Sequence, residues 1–229
     1  MSVYRVQFCP WDKSYVATGE ELTLNNNDQV VVRTDYGYDL ATVVTAVNVI
    51  DEAPASSAGE QETITIIRSA DDRDLANKQK ANAGKMQAII DCQAMIDQRA
   101  LPMKLLDVDF SLDKDRVVCA FVAGVRVDFR DLLKDLNRYF SCQVRLQQVG
   151  ARDQAKILGD NGPCGRGLCC RQSHRELSAV GAENLDGSVS GRGGDRLTGA
   201  CGRLMCCLKF EGEAGGKAYK KPRPVKPQK

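Results

Sequence analysis

The chain has very little histidine: one residue in 229. That leaves no conventional nucleophile–histidine pairing beyond the cysteines and no H-E-x-x-H metalloprotease signature. Tryptophan is also single, and aromatic residues make up only 6% of the chain. No long hydrophobic run is present. The longest, Val117 to Val125, is interrupted by Gly124 and is half of what a membrane-spanning helix requires. The N-terminal stretch MSVYRVQFCPWDKSY lacks a basic segment followed by an apolar block, so neither export nor membrane insertion is expected. No glycine-rich phosphate-binding signature stands between a strand and a helix, and SGRGG at residues 190–194 reads as a flexible loop.

Charge of one sign is missing from the body of the chain. The formal net charge is +2, but residues 212–229 carry six Lys or Arg against one Glu, leaving residues 1–211 with a balance of −3. A body that grips nucleic acid through its surface is usually more basic. The tail reads as disordered and solubilising.

Apolar residues at 43% and charged residues at 27% are those of a globular protein. Residues 2–8 alternate as a half-buried strand, with further β-rich runs at 29–34, 40–50 and 63–67. The connection EAPASSAGEQ, residues 52–61, separates the last two. Residues 71–100 predict one long helix ending before Pro102, with Met86, Ile89, Cys92 and Ile96 on one stripe. Strands are expected at 103–110, 116–121 and 142–149. Between the last two lies a helix capped by Asp128, with Phe129, Leu132, Leu133, Leu136 and Phe140 on one face. That order suggests half of a ferredoxin-like split βαβ unit.

The expected fold class is therefore α+β. It comprises an N-terminal antiparallel β unit (1–70), a long helix with an α+β unit (71–150), a Cys/Gly-rich metal-binding region (151–211) and the basic tail (212–229).

Cysteine is where the chemistry concentrates. Of ten cysteines, Cys9, Cys92, Cys119 and Cys142 stand singly in apolar segments and read as core packing. The other six form a near-repeat: CGRGLCC at 164–170 and CGRLMCC at 201–207, with corresponding cysteines 37 positions apart. Gly165 and Gly202 allow a close backbone turn, and Arg166 and Arg203 bring positive charge that favours thiolates. The surrounding segment is poor in large apolar side chains, so bound metal is the simplest source of its stability.

Three chemistries fit: an iron–sulfur cluster, structural zinc, or a vicinal-thiol redox switch. Neighbouring side chains point different ways, so Cys164 and Cys201 with one member of each pair are the expected ligands. Cys169 and Cys206 are chosen over Cys170 and Cys207 on spacing symmetry. His174, one helical turn beyond Cys170, is weighed as a ligand and read as an exposed polar residue.

The segments VRVDFRDLLKDLNRYF, VRLQQVGARDQAKILGDNGPCGRGLCC and GACGRLMCCLKFE resemble the bacterial RicT (YaaT) family, which carries the domain also found at the C-terminus of the yeast polymerase-suppressor protein. The resemblance implies a cytoplasmic, non-enzymatic regulatory subunit. Such subunits work with two small helical partners, RicA and RicF, and bind oxygen-sensitive four-iron four-sulfur clusters; flavin (FAD) has also been linked to that complex. It implies association with ribonuclease Y in maturation and turnover of messenger RNA, and effects on sporulation, competence and biofilm formation. Cys164, Cys169, Cys170, Cys201, Cys206 and Cys207 match the family's cysteine positions.

Overall fold

Strand-forming, β-branched segments at the N-terminus roll into a closed barrel. In this computed structural model the described residues are 2–19, 22–47, 64–172, 180–181 and 197–208. The chain divides into two units, residues 1–158 and 159–229.

The barrel strands are β1 (Ser2–Gln7), β2 (Tyr15–Gly19), β3 (Gln29–Thr34), β4 (Gly37–Val47) and β5 (Ile64–Ser69). They close in the order β1-β2-β5-β3-β4, with β4 returning to β1. All neighbours are antiparallel except β2 and β5, which run parallel. Alternation turns Val6, Ala17, Val30, Val32, Val43 and Ile64 into the barrel interior. The expected antiparallel β unit is thus a barrel. β2 was not anticipated, because five residues with a central alanine are a faint strand signal.

Next come α1 (Asp72–Ala81), a 3₁₀ turn (Asn82–Gly84) and α2 (Lys85–Gln98). The single helix expected over 71–100 is broken at Asn82–Gly84. Glycine and asparagine are weak helix formers, and the Asn82 side chain accepts a hydrogen bond from the Phe110 backbone N–H at 3.3 Å.

The start of α1 is a capping box. Asp71 accepts from the Asp74 N–H at 2.9 Å, and Asp74 accepts from the Asp71 N–H at 3.0 Å. Hydrogen bonds from the Arg68 guanidinium hold the Asp74 carboxyl at about 2, well below the usual carboxylate range. Replacing Asp71 by Ala should cost about 1 kcal/mol in urea unfolding. Because the Asp74 carboxyl is depressed in the folded protein, its contribution is complete above roughly pH 4 and is lost as pH falls toward 2. The stability gap between wild type and Asp74→Asn should close over that interval.

The second half of this unit holds β6 (Met103–Phe110), β7 (Arg116–Ala123), α3 (Arg130–Phe140), β8 (Gln143–Gln148) and α4 (Ala151–Leu158). The sheet order is β6-β7-β8, with β6–β7 antiparallel and β7–β8 parallel. The crossover through α3 is therefore not split, since β8 pairs directly with β7 and no strand lies between them.

β7 reads as continuous apolar sequence because both its faces are covered. Val117, Cys119 and Phe121 join Cys92, Ile96, Leu132 and Leu136 in the core under α2 and α3. Val118, Ala120 and Val122 meet Phe8, Cys9 and Trp11 from the barrel side. The packing role expected for Cys9, Cys92 and Cys119 holds, since all three are buried; Cys142 is half-buried.

Charges stitch the barrel to the helices and sheet. The Lys78 ammonium lies 2.9 Å from Asp39 of β4 and 3.0 Å from Asp109 of β6, and it donates to the Phe110 carbonyl at 2.6 Å. The Trp11 indole donates to Asp107 at 2.7 Å. Among the described residues no helix is long and apolar enough to cross a membrane. The connection at 52–61, the loop at 190–194, His174 and the tail from 212 lie outside the described residues.

Candidate metal-binding hairpins

The two cysteine motifs fold into the same local structure, bond for bond. In the first, Asn161 and Gly167 form an antiparallel bridge, as Thr198 and Leu204 do in the second. The Gly162 N–H donates to the Arg166 carbonyl at 2.7 Å, and the Gly199 N–H to that of Arg203 at 2.9 Å. The Gly165 N–H donates to the Gly162 carbonyl, and the Gly202 N–H to that of Gly199, both at 2.9 Å.

The correspondence continues past the loop. The Leu168 N–H reaches the Asp160 carbonyl at 3.3 Å, and the Met205 N–H reaches that of Leu197 at 2.9 Å. The Arg171 N–H then bonds the Leu168 carbonyl at 2.9 Å, matched by the Leu208 N–H on that of Met205 at 3.2 Å. Every partner is displaced by the same 37 residues that separate the motifs.

This is a tight hairpin with a three-residue loop whose last position must be left-handed. Gly165 has φ +77° and Gly202 has φ +71°, conformations that a residue with a Cβ adopts only at a cost. The leading cysteine, Cys164 or Cys201, stands just before that glycine at the loop tip. Gly162 and Gly199 lie beside the sulfur: a Cβ built there would stand 3.5 Å from Cys164 Sγ and 3.9 Å from Cys201 Sγ, in ordinary van der Waals contact.

The sequence identified the leading cysteines and the turn glycines. It passed over Gly162 and Gly199, whose signal is a glycine two positions before the cysteine in both GPCGR and GACGR.

The adjacent pairs differ between copies. In the first, Cys169 is exposed and Cys170 buried; in the second, Cys206 is half-buried and Cys207 exposed. Cys164 is exposed and Cys201 half-buried. The symmetric choice of Cys169 and Cys206 is therefore not matched by symmetric burial.

The donor set is thiol-rich and accessible, which suits a thiophilic metal or an iron–sulfur cluster. Cys164, Cys169, Cys201 and Cys206 are the residues that would hold one. Among the described residues no three or more His, Cys, Asp or Glu side chains stand together in a ligating arrangement.

Comparison with known proteins bears on the whole chain. The family model described as the PSP1 C-terminal conserved region matches residues 64–149, and that of the PSP1-like protein third domain matches residues 194–221. The first covers β5 through β8; the second contains the second hairpin. An uncharacterized protein of Schizosaccharomyces pombe is 26% identical over 66% of this chain, which spans 23% of that protein's length. No solved structure matches. The Stage 0 sporulation protein YaaT of Bacillus subtilis is 35% identical over 212 residues, 93% of this chain and 76% of that protein. With likeness of that extent, and with the PSP1 region spanning the sheet and helices, the chain belongs to the YaaT/PSP1 family.

Proposed function

We propose that this protein is a non-enzymatic regulatory adaptor of the cytoplasm that holds an iron–sulfur cluster through its two cysteine hairpins. It acts with small helical RicA- and RicF-like partners on ribonuclease Y-dependent maturation of messenger RNA. The observation that carries the reading is the duplicated hairpin, with a cysteine at each tip and the same backbone bonds 37 residues apart. A fold that repeats a cysteine-bearing turn supplies thiolates in matched pairs, as a four-thiolate cluster requires. Membership of the YaaT/PSP1 family supports the regulatory role, and the name of the Bacillus subtilis relative points to developmental control such as sporulation.

Cys164, Cys169, Cys201 and Cys206 are the assigned ligands, with Cys170 a packing residue at 6% exposure. When bound, the cluster supplies an oxygen-sensitive crosslink. The protein's own part is to hold each leading thiol at the tip of a hairpin whose backbone bonds are the same in both copies. Loss of the crosslink loosens the two hairpins and weakens partner docking.

The test is purification without oxygen, with iron, sulfide and zinc measured alongside the visible spectrum for wild type and the Cys164→Ser/Cys201→Ser variant. Iron and sulfide in similar amounts, with a broad absorbance absent from the variant, are expected. Zinc without sulfide would overturn the cluster. Ribonuclease Y capture that is indifferent to the double substitution would overturn the coupling of cluster to docking.

A further inference from the structure

A cavity of about 530 Å³ opens where β7 and β8 end, far in sequence from the cysteine hairpins. It lies within the size range of small-molecule sites. β7 and β8 are parallel and joined through α3. Ligands of sheets built this way bind beyond the carboxyl ends of the strands, where the connections leave a crevice. Here the walls come from Phe121 at the end of β7, Val125, Arg126, Val127 and Phe129 in the connection to α3, and Gln148 at the end of β8.

The lining has two parts. Phe121 and Phe129 stand edge to face, ring centroids 5.9 Å apart and 67° between planes. Val125 is 61% exposed and adds apolar surface to the rim. The Gln148 amide donates to the Ala123 carbonyl at 3.1 Å and ties the strand ends together.

The carboxylates after the connection are held by other cations. Asp128 is gripped by the Arg130 guanidinium at 2.6 Å and 3.0 Å, and Asp131 by Lys134 at 2.9 Å. Arg126 is exposed, and no carboxylate partner is recorded for it among the described residues.

We propose that this cavity binds a small anion with a planar apolar body, its ring against Phe129 and Val125 and its charge at Arg126. The site is independent of the metal reading: it draws on none of the six hairpin cysteines.

The probe of choice is 1-anilinonaphthalene-8-sulfonate, titrated into the full-length protein and followed by fluorescence, with N-phenyl-1-naphthylamine as its uncharged counterpart. The sulfonate is expected to bind at one site and Arg126→Ala to weaken it about tenfold, the loss of one charge-assisted contact. The uncharged dye should be indifferent to that change. A second variant removes the space instead: a Cβ at Gly124 meets nothing within 4 Å, so Gly124→Phe is accommodated by the backbone and fills the mouth. Its near-ultraviolet circular dichroism should match wild type while binding of both dyes is lost.

Displacement of the dye by indole-3-acetate assigns the anion as a carboxylate, and displacement by uridine 5′-monophosphate assigns it as a phosphate. Sulfonate binding unaltered by both substitutions, or displacement by neither competitor, overturns the proposal.

Discussion

Lys78→Met should destabilise the protein by about 3–5 kcal/mol, a large part of what a single domain has. The Lys78 side chain is 13% exposed and faces Asp39 at 4% and Asp109 at 11%. Methionine keeps the packing of the stem but strands two carboxylates in a site that water does not reach. Arg116, 3.6 Å from Asp39, relieves only one of them. Urea unfolding at pH 7 measures the loss. Adding Asp109→Asn to Lys78→Met should recover part of it, because the stranded charge is then gone.

The pH dependence has a definite sign. Burial already pushes the Asp39 carboxyl up, and Lys78 is the principal influence pulling it down. Without the ammonium it rises further, and a carboxyl raised in the folded state favours folding as pH falls. The deficit of Lys78→Met should therefore shrink between pH 7 and pH 4. A deficit that is constant over that range would show that lost packing, not stranded charge, is the cause.

Ile96→Ala should cost about 2–5 kcal/mol, whereas Met86→Ala on the same helix should change stability by no more than about 0.5 kcal/mol. Ile96 is fully buried with Cys92 among residues of β6, β7 and α3, while Met86 is 71% exposed. Truncating Ile96 leaves a cavity bounded by rigid strands, and truncating Met86 removes a side chain already in water. Thermal or urea unfolding of the two variants side by side measures the contrast. Equal losses would place Met86 in a buried interface of the protein in solution.

That contrast shows how far periodicity carries. The spacing of Ile89, Cys92 and Ile96 found the packed side of the helix, but Met86 does not share it: the buried row is Ala88, Cys92 and Ile96, and Met86 is 71% exposed. Nor could spacing say that Asn82–Gly84 separates α1 from α2. β6 and the apolar face of α3 were legible because strand-forming residues and the 3.6-residue repeat mark them, with Leu132 and Leu136 buried as spaced; the burial of Asp107 and Asp109 beside Val108 was not legible, since it depends on the register shift after Leu105. The closed barrel was not, because closure depends on β1 meeting β4 and β2 meeting β5, pairings between segments whose local sequence is equally strand-like.

At the candidate site, residue types and spacing were enough to find the repeat, its leading cysteines and the glycines that turn it. The backbone conformation that CGR requires is local, and a tight hairpin is decided within a few residues. The difference in burial between Cys170 and Cys207 is not local and has no counterpart in two identical dipeptides.

By itself, then, the sequence determined the α+β class, the core role of the scattered cysteines and the duplicated thiol hairpin, all properties set by short-range geometry and side-chain chemistry. Tertiary structure alone decided that five strands close into a barrel, that Lys78 sits between Asp39 and Asp109, and that the ends of β7 and β8 enclose a cavity beside Arg126. Each of these joins residues tens of positions apart, and only the folded chain brings them within reach of one another.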